Sequence, residues 1–317
     1  MIEPSALRAT DAALASEVAR RHYLGSERKV DIAASMGISR FKVARLLEAA
    51  RSSGIVRIEI VDRGGVDGEL SARLRTAYGL RRCIVVDCSD DAPRLREHVG
   101  SAGADVLHEV VGPQDVLGLP WARTVSALVE ALPELPPVPV VQLSGSMVIP
   151  GERSPVDMVR AAAGLAGGEA HLYYAPFILD DAASAAAMRR QPAVAQAMAE
   201  VERVTVAVVS IGAWEPGHST IHDAVDERDR AEVAAAGAVG EALGVFVDRE
   251  GRAVHPSLVD RMVTIGDEEL RRVPETVALA TGAAKAGAVR AFLTGGWVDT
   301  LVTDRSLATV LARSAGS

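Results

Sequence analysis

The order of apolar and polar positions follows one rhythm near the N-terminus and another beyond it. Over residues 5–24, Leu7, Leu14, Val18 and Tyr23 turn inward at helical spacing. This predicts a first helix ended by Gly25-Ser26, with Ser26 or Glu27 available to cap the next one. In the stretch VDIAASMGISRFKVARLLEAARSSGIVRIEI (residues 30–60), Ile32, Ala33 and Met36 repeat at helical spacing and stop at Gly37. Ile38 then plugs inward and Ser39 is placed to cap another helix, on which Val43, Leu46, Leu47 and Ala50 form the apolar stripe. Residues 55–61 read as a β-branched strand, a wing or link, with Arg57 and Glu59 outward. DRGGVDG (residues 62–68) reads as a hinge.

Beyond residue 68, short apolar runs alternate with amphipathic segments. Strands are predicted at 83–87, 115–119, 138–143, 170–175, 204–211, 276–280 and 300–303. Helices lie between most of them, including 121–132, 155–166, 182–190, 284–293 and 305–311. The alternation predicts a mostly parallel sheet covered on both faces. The domain organisation is therefore a helix-turn-helix head over 1–61, a hinge over 62–68 and a larger α/β body over 69–317.

Charge sharpens the division. Residues 1–60 carry 10 Lys and Arg against 7 Asp and Glu, a net of +3, whereas the other 257 carry 24 against 35, a net of −11. A basic head on an acidic body is the asymmetry of a regulator, and a plain cytosolic enzyme would not need it. A helix start ordinarily favours carboxylates. The one opened by Ser39 instead carries Arg40, Lys42 and Arg45, with no acid before Glu48. That placement suits phosphates and guanine edges, so Lys29, Ser39, Arg40, Lys42 and Arg45 are the DNA-contact candidates.

Apolar residues make up 49% of the chain and aromatics only 3%, so the core must come from Ala, Val, Leu and Ile. Every apolar run is interrupted before it could cross a bilayer, and the N-terminus lacks a signal-peptide pattern. A cytoplasmic protein without a membrane partner is expected. Cys83 and Cys88 have no Cys or His neighbours at zinc spacing, so reduced structural thiols are expected and no metal site.

Ligand chemistry should sit at the carboxyl ends of the strands. Four ends carry polar turns: Val116 to Thr124 (VLGLPWART), Gln142 to Ser146 (QLSGS), Ser210 to Gly212 (SIG), and Ala280 to Lys285 (ATGAAK). Lys285 is the only Lys in the body, where Arg supplies every other cation. A compact ammonium beside a helix start suits phosphate. Neither a Walker loop nor a dinucleotide fingerprint occurs. His218 and His222 could touch a ligand, and Asp223, Glu241 and Asp260 could accept sugar hydroxyls, with Glu241 the strongest of the three.

The head segment DIAASMGISRFKVARLLEAARSSGIVRIEI and the body segments GLPWARTVSALVEALP, VVQLSGS, VVSIG, AAGAVGEALGVFVDREG and VALATGAAKAGAVRAFLTGGWVDTLVTD resemble the SorC-type sugar-binding transcriptional regulators. DeoR-type repressors, with a Thr-rich recognition helix, fit less well. The resemblance implies a winged-helix-like head and a Rossmann-like body similar to ribose-5-phosphate isomerase and glucosamine-6-phosphate deaminase, sensing ligands without turning them over. Gly118, Arg123 and Thr124 would form the first anion loop, Gln142 and Gly145 the next wall, and Gly212 would lie close to the sugar. Glu241 would bind hydroxyls and Lys285 the phosphate. The chain departs from the family at Pro120 and Ala122, where small hydroxyl or Gly residues are usual, and at Ser144, where Asn is common.

The expectation is a regulator of carbohydrate metabolism with no cofactor and no catalytic residues. It would bind palindromic operator DNA as a homodimer or homotetramer under control of a sugar phosphate, or a related sugar or polyol. The competing classes are a sugar-phosphate isomerase or deaminase with an added DNA-binding head, and a structural DNA-binding protein without a ligand.

Overall fold

The computed structural model describes residues 9–57, 65–88, 92–147 and 154–314. The chain divides into two compact units, residues 1–62 and 63–317. In the first, α1 (Ala9–Ala19) runs into a π-helical turn (Arg20–Leu24) and is followed by α2 (Lys29–Met36) and α3 (Arg40–Ser52). One core joins them, built from Ala15, Val18, Ala19, Ile32, Ala33, Val43, Leu46, Leu47 and Ala50. Gly37 takes φ 66°, a backbone region that side chains disfavour, and the Ile38 N–H donates to the Ala33 carbonyl at 3.1 Å. That closes α2 and turns the chain into α3.

Two expectations for this unit change, while residues 5–8 of the first helix, Leu7 among them, lie outside the described residues. The residue capping α2 is Arg28, which makes no side-chain cap. Ser26 is held at φ 51°, and the Glu27 carboxylate is taken by Arg21 at 2.9 and 2.5 Å. Residues 55–57 are not a strand, because the Val56 N–H still closes the end of α3 by donating to the Ala50 carbonyl (2.9 Å). Residues 58–61 of the expected wing lie outside the described residues.

The second unit begins inside the expected hinge, of which residues 62–64 lie outside the described residues. Gly65–Val66 (β1) pairs antiparallel with Arg82–Asp87 (β2), and Asp67 caps the next helix by accepting the Leu70 N–H. The remaining strands are β3 (Leu117–Leu119), β4 (Val140–Gln142), β5 (Ala170–His171), β6 (Val206–Ser210), β7 (Gly212–Ala213), β8 (Gly240–Ala242), β9 (Val245–Val247), β10 (Ala253–Val254), β11 (Glu275–Ala280) and β12 (Thr300–Asp304). Among the described residues they form an eight-stranded sheet, β1-β2-β12-β11-β6-β3-β4-β5, parallel except for β1, and a four-stranded antiparallel sheet, β10-β9-β8-β7.

Among the described residues eleven α-helices complete the unit's frame, beginning with α4 (Gly68–Tyr78), α5 (Ala92–Val110), α6 (Arg123–Ala131), α7 (Pro155–Ala166), α8 (Ala182–Arg189), α9 (Pro192–Ala199) and α10 (Thr220–Ala224). They are followed by α11 (Glu227–Ala235), α12 (Asp267–Arg272), α13 (Ala286–Thr294) and α14 (Arg305–Ser314). Alternate residues of one strand enter opposite cores. Val85, Ala207, Ala278 and Leu301 join Leu74 of α4, Val289 of α13 and Leu311 of α14. Val86, Val208, Val277 and Val302 join Leu107 of α5, Leu128 of α6 and Val159 of α7. The sheet is thus buried on both faces, which explains its continuous apolar strands. Burial in β2 pushes the Cys83 thiol up to about 12, and neither Cys83 nor Cys88 forms a disulfide.

The small antiparallel sheet is absent from the sequence expectations. Its strands are two or three residues long, and β8 and β9 are joined by Leu243 and Gly244, at φ 58° and 85°. A Leu-Gly pair gives none of the Asn-Gly signal of a tight hairpin.

Candidate functional site

The parallel sheet reverses its strand order between β3 and β6. From β3 the chain proceeds outward through β4 and β5, whereas from β6 it proceeds the other way through β11 and β12. Strand-end loops part at such a switch point and leave a crevice. A cavity of about 280 Å³ opens there, lined from the ends of β3 (Pro120 to Thr124), β4 (Ser144, Gly145), β6 (Ser210, Ile211) and β11 (Thr281, Gly282, Lys285).

Local chemistry explains each wall. Leaving β3, the Trp121 N–H donates to Ser144 Oγ (3.1 Å), which ties the first two loops together. Ala122 then precedes α6 without a side-chain cap, so the amide end of α6 stands at Arg123 and buried Thr124. At Gly145 a Cβ would meet the Pro176 carbonyl at 2.6 Å, and only glycine allows this crossing. Gly212 is packed just as closely against a Glu241 carboxylate oxygen.

Glu241, in β8, is buried and accepts the Ser219 hydroxyl at 2.8 Å. Burial pushes its carboxyl above the ordinary range, against the pull of Ser219, Lys285 and the Gly244 N–H. Lys285 is half-buried in the 3₁₀ turn Ala283–Lys285, just ahead of α13, and its Nζ donates to the Ile211 carbonyl (3.1 Å). Burial lowers its pKa, Glu241 opposes that, and Arg96 and Arg123 add to it. The turn is braced from below: buried Asp304 accepts the Gly282 N–H (2.7 Å) with one oxygen and the Ser306 and Leu307 N–H groups with the other. Leu95, Trp121, Met147, Phe177 and Leu243 supply an apolar wall. Three cations, two carboxylates and small hydroxyls around an apolar floor can hold an anionic, hydroxyl-rich molecule of modest size.

Of the effector candidates, Arg123, Thr124, Gly145, Gly212, Glu241 and Lys285 line this cavity, and Gly118, Gln142 and His222 do not. Gly118 is a packing residue within β3, where a Cβ would meet the Leu143 and Val204 side chains at 2.9 Å. Gln142 is fully buried and cross-braces the sheet, its Nε2 donating to the Ser144 carbonyl (2.9 Å) and its Oε1 accepting the Tyr173 N–H (3.2 Å). His222 is buried edge-on against Trp214, with ring centroids 5.0 Å apart. Its neighbours His218 and Asp223 line the cavity instead, and Asp260 does not. Arg96 and Ser219 were missed. One Arg on an amphipathic helix carries no signal, although the Ser219 cap on the His222 N–H (3.1 Å) is a motif the sequence displays.

In the first unit Lys29, Ser39, Arg40, Lys42 and Arg45 are all exposed. Ser39 Oγ accepts the Lys42 N–H (3.1 Å) and so caps α3. Arg21 pairs with Glu27, Arg28 with Asp31, and Arg51 donates to the Tyr23 hydroxyl. Among the described residues no carboxylate pairs with Arg40, Lys42 or Arg45, so the start of α3 presents uncompensated positive charge to solvent.

Comparison with known proteins adds to this geometry. Residues 66–312 match the family described as "Putative sugar-binding domain". The chain is 28% identical over 302 residues to the transcriptional regulator LsrR of Klebsiella pneumoniae, covering 93% of this chain and 91% of that protein. It is 27% identical over 309 residues to the erythritol catabolism regulatory protein EryD of Brucella abortus, covering 95% and 96%. Its fold is similar to that of the full-length sorbitol operon regulator SorC from Klebsiella pneumoniae, with a TM-score of 0.72, 24% identity, and coverage of 96% of this chain and 100% of that one.

Proposed function

The chain belongs to the SorC-type sugar-binding transcriptional regulators, and from that premise we propose that a sugar phosphate, or a closely related sugar or polyol, binds the strand-end cavity and sets the chain's affinity for operator DNA. One observation supports phosphate above all: Arg96, Arg123 and Lys285 share the cavity with the uncapped end of α6. Glu241, Ser219 and Asp223 are the acceptors for hydroxyls. The reading is of a sensor and not of an isomerase or deaminase, since the similar proteins of known role are regulators.

The protein acts in the cytoplasm as a dimer or tetramer on a palindromic operator, Arg40, Lys42 and Arg45 meeting phosphates and base edges, with Lys29 and Ser39 beside them. Among the described residues no helix is long and apolar enough to cross a membrane. Effector binding changes DNA affinity by favouring one arrangement of subunits, typically by about 1–3 kcal/mol.

The test is a thermal-shift and calorimetry panel of inorganic phosphate, ribose 5-phosphate, glucosamine 6-phosphate, their unphosphorylated counterparts and simple polyols. A phosphorylated compound should stabilise the protein by about 2.7 kcal/mol at a hundredfold excess over its Kd, without being converted. Equal binding by the free sugar would remove phosphate from the reading. Turnover would overturn the sensor.

A further inference from the structure

Four phenylalanines occur in this chain. Three are buried, with Phe177 4%, Phe246 1% and Phe292 0% exposed, while Phe41 is 84% exposed. In a chain so poor in aromatics, a ring left in water forfeits the main benefit of its apolar surface. Its position is as unusual as its exposure. Phe41 is the second residue of α3, between Arg40 and Lys42 and one turn before Arg45. At about 100° per residue it points opposite the buried stripe of Val43, Leu46, Leu47 and Ala50, at the middle of the solvent face. Ser39 fixes the turn that carries it.

We infer that Phe41 is a specificity-determining residue that packs against the C5-methyl group of a thymine in the major groove of the operator. The inference rests on reading this face as the DNA-binding surface. Charge complementarity selects the occupant: exposed Arg40, Lys42 and Arg45 share the first turns of α3 with Phe41 and draw that face toward a polyanion. Within a stacked duplex, the thymine methyl is the apolar group that the major groove offers to such a ring. The cations supply affinity that is largely indifferent to sequence, and the ring adds discrimination without charge.

The test uses the full chain and duplexes that the wild type selects from a random-sequence library. Each thymine is then replaced by uracil, which removes only the methyl. For the wild type, one position per half-site should lose about three- to five-fold in affinity, the size of one buried methyl group. Phe41→Ala should bind the thymine duplex about three- to five-fold more weakly and be indifferent to uracil at that position. Its salt dependence should be unchanged, since no charge is altered. With the ring outside the core, the variant should melt as the wild type does. Wild-type indifference to uracil at every position would overturn the proposal, as would discrimination retained by Phe41→Ala. If Phe41→Ala changes the oligomeric mass and leaves the uracil effect in place, the ring belongs to a contact between copies and the proposal falls. Failure of the wild type to select any duplex is a distinct result, which removes the DNA-binding reading and this inference with it.

Discussion

Both units gather cations, but they treat them oppositely. The start of α3 leaves Arg40, Lys42 and Arg45 in water with no carboxylate partner among the described residues. The body half-buries Lys285 beside buried Glu241 and fastens its Nζ to a backbone carbonyl. Exposed cations are weakly oriented and strongly screened, so they suit a long polyanion whose binding is driven by counterion release. A cation withdrawn from water is oriented and costs desolvation, so it suits one small anion that completes its coordination. The same charge thus suits affinity in one unit and selection in the other.

The largest expected effect breaks the buried side of this contrast. Lys285→Met should weaken the sugar phosphate found in the panel by roughly thirty-fold or more, as truncating a buried charged partner does. Operator affinity without effector should be unchanged, as read by titrating labelled duplex. Parallel losses in both titrations would show that the two units do not divide the work. On the exposed side, Arg40→Ala should cost about 1–3 kcal/mol on the selected operator and much less on random duplex. Equal losses on the two DNAs would leave Arg40 a phosphate contact only.

Glu241 sharpens the contrast through pH. Its carboxyl is raised above the ordinary value of 4.5 by burial. A group raised in the folded state contributes stability that is present below its unfolded pKa and is lost as pH rises through the folded one. The ligand-free body should therefore lose stability as pH climbs from about 4.5 through the raised value. Glu241→Gln should remove that decline, so its melting temperature should gain on the wild type as pH rises across the window. Lys285, lowered by burial, carries the opposite dependence, lost as pH falls through its own lowered value. Parallel calorimetric profiles for Glu241→Gln and wild type would mean that the carboxylate is fully compensated.

How much of this was legible depends on the range of the interactions involved. The stripe from Ile32 to Ala50 and the Ser39 cap are local periodicities, and they reappear as α2, α3 and the bond to Lys42. Residues 155–166 were legible for the same reason, with Ser154 capping and Pro155 at the first position of α7. Lys285 stood out by its rarity. The family resemblance implied ligand roles for Gly118 and Gln142 at polar strand ends, but a strand points successive residues to opposite sides and each is consumed by packing within the sheet. Arg96 could not be found, since its approach depends on how α5 lies across the sheet.

The smallest effect isolates the first unit. Ser39 was a candidate for DNA contact, and the structure also gives it a structural task, the cap on α3 through the Lys42 N–H. Ser39→Ala should destabilise the first unit by about 1 kcal/mol, the usual cost of losing such a cap, and leave effector affinity in the second untouched. Ser39→Asp separates the two tasks. An aspartate caps as well as serine and gains from the positive end of the helix, so stability should return. The same carboxylate would stand beside Arg40 and Lys42 where a phosphate is to bind, so operator affinity should stay low and its salt dependence should flatten. The checks are denaturant unfolding followed by circular dichroism, and duplex titration at several ionic strengths. If Ser39→Asp restores both stability and DNA affinity, the cap is the whole role of this residue, and the contact surface is carried by the cations of α3 alone.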